Sequence, residues 1–208
     1  VYKRQIHESA HTSDCGDDLF PRSFIVNLPA PSNYAGPVRV FGLPPADGRE
    51  ARPPLSLTRS IPAHESATWV PPRHRNGHRP IWQGSAEVPP SLSEAIQSFI
   101  LACAVRRARS DARVHNSMLV HVTRFTNVQT AVRDQVEAEL DRIATRLRLG
   151  ERRGGSSVLD GLRQLFEDDL CPTTTTIRGE MQDSTLRDMS WSEVKPFLSA
   201  VSADIRIM

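Results

Sequence analysis

A chain of 208 residues with 38% hydrophobic and 24% charged side chains is long enough to bury a core, yet apolar-poor enough that part of it lies outside that core. A net charge of +2 gives no global case for nucleic-acid binding, and the only lysines are Lys3 and Lys195, so any such role rests on local arginine patches. The separated Cys15, Cys103 and Cys171 give neither a disulfide framework nor a thiolate zinc site and fit a reducing cytoplasm, and no apolar run approaches the ~20 residues of a membrane span.

In chain order, Phe24 to Leu28 is β-branched and bounded by Pro21, Pro29 and Pro31, which predicts a short strand. Val38 to Phe41, stopped by Gly42, predicts a second. From Pro44 to Pro90 the sequence changes character: ten of the sixteen prolines fall here, among Arg, His, Ser and Gly without periodicity. That composition predicts a long irregular insertion or linker. Ser91 and Glu94 then make an S-x-x-E capping box. Behind it Leu92, Ile96, Phe99, Ile100 and Cys103 recur at helical spacing, with Arg106, Arg107 and Arg109 at the end where cations favour the helix dipole.

Met118 to Val122 is a short, almost wholly apolar run that predicts a strand covered on both faces, as in parallel sheets. A long helix is predicted from about Asn127, carried by Val128, Val132, Val136, Leu140, Ile143 and Leu147 and ending before Gly154-Gly155. Val158 to Phe166 reads as a short helix and Thr173 to Thr176 as an extended polar segment. Ser190 and Glu193 form a second capping box opening a helix through Trp191, Val194 and Leu198, and Ile205 to Ile207 reads as a last strand. Helix, buried strand and long helix together predict an α/β layer structure. Val1 in place of methionine and the alternating end at Met208 read as the ends of an internal fragment.

His7-Glu8-Ser9-Ala10-His11 matches H-E-x-x-H, the spacing that sets two imidazoles one turn apart for zinc beside a general-base carboxylate. Charged neighbours on both sides, no amphipathic pattern and no third ligand make His7, Glu8 and His11 a polar loop rather than a metal site. Arg73, His74, Arg75, His78 and Arg79, with Trp69 and Trp82 nearby, read either as a footprint for single-stranded nucleic acid or as a solvated basic insertion, the second being favoured. Arg142, Arg146, Arg148, Arg152 and Arg153 suit the C-terminus of the long helix, with i,i+4 pairing to residues such as Glu139, the less favoured alternative being a phosphate-tracking surface. The turn from Thr123 to Gln129 is dense in donors. Thr123, Arg124, Thr126, Asn127 and Gln129 sit where a strand's carboxyl end would meet a helix N-terminus, which favours phosphate or nucleic-acid backbone. The alternative is that Thr123 or Thr126 only caps the helix.

Asp18 to Ile25, Pro31 to Gly36, Pro90 to Arg106 and His115 to Phe125 together resemble the Z1 domain, a family labelled as an endonuclease domain that accompanies a superfamily-two helicase-type ATPase. The resemblance implies a partial RecA-like parallel sheet of the P-loop NTPase type with flanking helices. Residues 1–43 would be the edge of a preceding lobe, 44–90 the Pro/Arg-rich insertion, and 91–208 an incomplete second lobe. It implies a role in ATP-dependent DNA remodelling or restriction-type defence, with DNA or another nucleic acid and the rest of the same polypeptide as partners. ATP and Mg are expected of the full-length parent and no cofactor of this piece, which lacks G-x-x-x-x-G-K-[ST]. No catalytic residue is assigned. The alternatives are a metal-dependent endonuclease and a non-catalytic interaction module.

Overall fold

The computed structural model describes residues 36–44, 53–110, 115–150 and 157–208. The Phe24–Leu28 strand and the His7, Glu8 and His11 motif lie outside them. Contacts divide the chain into Val1–Gly36 and Pro37–Met208, and every described helix belongs to the second unit.

Two long helices carry the core. The helix α3 (Pro90–Ser110) buries Ile96, Ile100, Leu101, Cys103, Ala104 and Val105, a stripe wide enough to meet neighbours on several sides. The helix α4 (Thr126–Leu149) buries Val128, Val132, Val136, Leu140 and Ile143, the predicted face, and stops at Gly150, whose φ of 71° suits a residue without Cβ. The short α5 (Val158–Leu165) and α8 (Leu198–Asp204) each pack against both α3 and α4, and α7 (Trp191–Val194) packs against α3. Ile100, Leu101, Ile143, Leu162, Leu198, Val128 and Val194 are fully enclosed, and each contributes about 1.5–3 kcal/mol by leaving water. The second capping box forms as expected: Glu193 accepts from the Ser190 N–H at 2.8 Å and opens α7. No helix among the described residues is long and apolar enough to cross a membrane.

The parallel RecA-like sheet is overturned. Among the described residues the sole β-type pairing is an isolated bridge between Trp82 and Ser85. Met118 to Val122 has no regular structure and no partner strand among the described residues: Leu119 is 86% exposed, and Ser117 to Val122 make no hydrogen bond among the described residues. Only Val120 leans on the core. A five-residue apolar run has one pattern whether it is sandwiched or laid over a surface, and no second strand lies beside it among the described residues. Ile205 to Ile207 is likewise without a ladder among the described residues, held by half-buried Ile205 and Ile207 against the core.

Three smaller expectations also fail. Val38 to Phe41 belongs to a helix, α1 (Pro37–Phe41), because Pro37 presets its first φ and left-handed Gly42 lets the Leu43 N–H reach the Val38 carbonyl at 3.0 Å. Thr173 to Thr176 lies inside α6 (Cys171–Met181), which continues α5 through a π-helical turn, Phe166–Leu170. Thr175 and Thr176 return their hydroxyls to the carbonyls of Cys171 and Pro172, so their polar groups are satisfied within the helix. At the start of α3, Pro90 takes the first turn and the Ser91 N–H is taken by the Glu65 carboxylate at 3.0 Å in place of a local capping box.

Glu65 belongs to α2 (Ala63–Trp69), a helix within the stretch expected to be irregular. The rest of residues 53–90 is largely turns, yet Leu55, Trp69, Val70, Trp82 and Val88 are buried, and all but Leu55 join the main core cluster. Arg59 pairs with Asp169 on the π turn.

Candidate functional site

The predicted turn between residues 123 and 129 divides into braces and free groups. Thr123 is 5% exposed; its Oγ1 accepts the Phe125 N–H at 3.1 Å and its carbonyl accepts the Gln129 Nε2 at 2.8 Å. Both side chains are therefore spent on shaping the turn. Arg124, Thr126 and Asn127 face solvent, and the Arg124 guanidinium lies 5.1 Å from the centre of the Phe125 ring. No side chain caps the start of α4, whose first N–H groups are left for water or a ligand.

Residues 71–80 are fastened beside this turn at three points. The Trp69 indole N–H donates to Gln135 Oε1 at 2.8 Å, and Gln135 Nε2 donates to the Pro80 carbonyl at 2.7 Å, so one buried amide on α4 holds both ends of the loop. In the middle, His74 Nδ1 lies 2.7 Å from the Pro71 carbonyl, which can only accept; Nδ1 therefore carries the proton. In the neutral ring Nε2 is then an acceptor, and the Thr123 hydroxyl donates to it at 2.6 Å. His78 Nε2 donates to the Trp69 carbonyl at 2.7 Å, and His74 meets the Phe125 ring edge-on at 5.4 Å. Trp69 and Trp82 are core residues and offer no stacking surface.

These contacts enclose an open cleft of about 630 Å³ between Pro72–His74 on one wall and His121–Phe125 on the other. Arg73 and Arg124 line it with His74 and His121, and no carboxylate does. Several arginines outside the cleft are answered by acids, among them Arg107 by Asp204 at 2.9 Å, Arg178 by Asp188 at 2.9 Å and Arg187 by Glu193 at 2.7 Å. Neither cleft arginine has an ion-pair partner among the described residues. The result is a concave, locally cationic surface on a nearly neutral chain.

The family model of the Z1 domain matches residues 91–208, more than half of the chain. The chain belongs to the Z1 domain family. Neither the curated proteins nor the solved structures contain a match to it. The matched Z1 stretch supplies the His121–Phe125 wall, and the Pro72–His74 wall comes from outside it.

A second cleft of the Z1 chain, of about 670 Å³, lies between Arg59, the first turns of α3 and the π turn. It has the opposite character, with Glu94 and Asp168 at its rim and Asp169 already bound by Arg59. Among the described residues no group of three or more His, Cys, Asp or Glu side chains is placed to hold a metal ion. These residues do not fit a magnesium–nucleotide site, and no step is assigned to one. The sequence presents Arg73, His74 and the 123–129 turn as separate candidates; nothing local signals that His74 and Thr123 meet across 49 positions. Gln135 does leave a signal, as a polar side chain on the apolar stripe between Val132 and Val136. The basic end of α4 is partly neutralised by the Glu139–Arg142 pair at 2.6 Å, an i,i+3 rather than an i,i+4 contact.

Proposed function

We propose that this Z1 chain binds the phosphate backbone of nucleic acid in the cleft between Arg73 and Arg124. The observation that supports it is a concave surface with two guanidiniums that have no ion-pair partner and no facing carboxylate among the described residues, beside the start of a 24-residue helix whose N-cap residue, Phe125, makes no side-chain capping bond. Guanidinium and a helix N-terminus both favour anions, and a flat two-pronged donor suits phosphate oxygens. Of the turn residues, Arg124 contacts the backbone, Thr126 and Asn127 add donors at its edge, and Thr123 and Gln129 hold the turn. In this reading the domain positions DNA or RNA for an ATP-dependent remodelling or restriction-type protein, whose nucleotide and magnesium chemistry falls to other residues. The 206–208 end and the acidic cleft take no part.

The test is fluorescence anisotropy of a labelled oligonucleotide titrated with the 208-residue chain between about 25 and 200 mM salt. Each lost phosphate contact lowers the slope of log affinity against log salt by about 0.7 to 0.9. Arg73→Ala with Arg124→Ala is expected to flatten it by about 1.5 and to weaken binding most at low salt. An unchanged slope and affinity in the double variant would remove the cleft from the function.

A further inference from the structure

We infer that the cleft accepts an unpaired strand in preference to a duplex, with a base stacked on the Phe125–Arg124 pair and its phosphate met by Arg73. This rests on the nucleic-acid reading above and adds the form of the ligand. The platform is the half-buried Phe125 ring with the Arg124 guanidinium 5.1 Å from its centre, a flat and weakly hydrated cation that offers a π-compatible face of its own. It is braced in advance. The His74 and Phe125 rings meet at 5.4 Å and 82°, and His74 is itself held at 2.7 Å to the Pro71 carbonyl and 2.6 Å to Thr123 Oγ1, which lowers the ordering needed at this wall when a ligand arrives.

Position decides the form. These rings line the inside of a cleft rather than a ridge, and a duplex offers backbone and base edges at its surface while the base faces stay stacked within. An unpaired strand can turn a base inward, and a π face suits any base, so sequence preference is weak. The irregular run from Ser117 to Val122 leads up to the same wall. Its peptide groups make no hydrogen bond among the described residues, and Met118 and Leu119 are exposed. Backbone donors and acceptors without a partner among the described residues, beside apolar side chains, suit splayed bases and sugars, and give a rigid phosphate ridge little to hold.

The experiment is competition between a single strand of about 12 nucleotides and a hairpin duplex of the same sequence, with 2-aminopurine in the single strand to report stacking. Expected is single-strand binding at least about tenfold tighter, with quenched 2-aminopurine emission. Phe125→Leu is expected to lower single-strand affinity about tenfold and to abolish the quenching, while the weaker duplex binding and the salt slope stay as they are. Phe125→Trp, which keeps a stacking face, is expected to retain both, so a collapse of the loop is told apart from loss of the platform. Equal affinity for strand and duplex, or Phe125→Leu with quenching intact, overturns the single-strand inference and leaves the backbone reading standing if the Arg73 and Arg124 variants still weaken binding. No binding of either nucleic acid removes both.

Discussion

Gln135→Leu separates a loop that is built into the fold from one that merely lies on it. Gln135 is 7% exposed and its amide serves two buried partners, the Trp69 indole at 2.8 Å and the Pro80 carbonyl at 2.7 Å. Leucine keeps the volume and removes both bonds, leaving a donor and an acceptor enclosed without partners. Each of the two orphans costs about 1–3 kcal/mol, and the apolar side chain recovers about 1 kcal/mol by avoiding amide burial, for a net loss of about 1–5 kcal/mol. Against a total of about 5–15 kcal/mol for a domain this is a large fraction. Urea unfolding followed by circular dichroism reads it as a lower midpoint at constant slope. With Trp69→Phe as the second arm, a double-mutant cycle is expected to return a coupling of about 1 kcal/mol. A midpoint for Gln135→Leu within error of the parent would refute the claim that this amide anchors residues 71–80, and with it the basis for a fixed Arg73.

Two further outcomes test other joints. Glu65→Gln keeps an acceptor for the Ser91 N–H but removes the charge at the start of α3, so a loss of about 0.5–1 kcal/mol is expected in thermal unfolding, and about 2 kcal/mol for Glu65→Ala, which also orphans the donor. The Arg187 guanidinium first, then the Ser190 N–H and hydroxyl, hold the Glu193 carboxyl down from 4.5 to about 2. Since the folded value is the lower one, its stabilisation is present above pH 4.5 and is lost as pH falls towards 2; Glu193→Gln is expected to flatten that limb of the melting temperature against pH.

How much of the fold is legible in the sequence depends on how many residues vote. Along α4 six apolar positions over six turns agree on one face, and along α3 the same repetition holds, so both helices and their buried sides are readable. Ser190 and Glu193 are readable because both halves of the box are local. Where one face offers few votes the reading fails. Met118 to Val122 supplies five residues, too few to distinguish a covered strand from an irregular run, and the expectation of a parallel sheet rests on it. The seven residues of α2 bury only Glu65 and Trp69, one turn apart, a pattern lost between flanking prolines. In α6 the threonines favour extended backbone locally, and the hydroxyl bonds to Cys171 and Pro172 within the continuing helix prevail. The site divides the same way. Its donors stand out in the sequence, while the contact that assembles them, His74 with Thr123, depends on the tertiary fold.

The composition that reads as disorder is what holds the loop opposite α4. A non-helical segment beside a core must satisfy every N–H and C=O it buries. Proline brings only an acceptor, so each one halves that demand and also lowers the entropy lost when the segment is fixed. The acceptors are then used: Pro62 receives the Glu65 N–H at 3.0 Å, Pro71 the His74 backbone N–H at 3.0 Å and ring Nδ1 at 2.7 Å, Pro80 the Gln135 amide at 2.7 Å, and Pro89 the Leu92 N–H at 3.0 Å. Low hydrophobicity alone would have left residues 53–90 mobile, but the two tryptophans supply the burial that proline cannot. Arg73 thus sits between a fixed Pro71 and a fixed His74, held across from Arg124 before any ligand arrives, and a surface of two arginines can discriminate by shape rather than by charge alone.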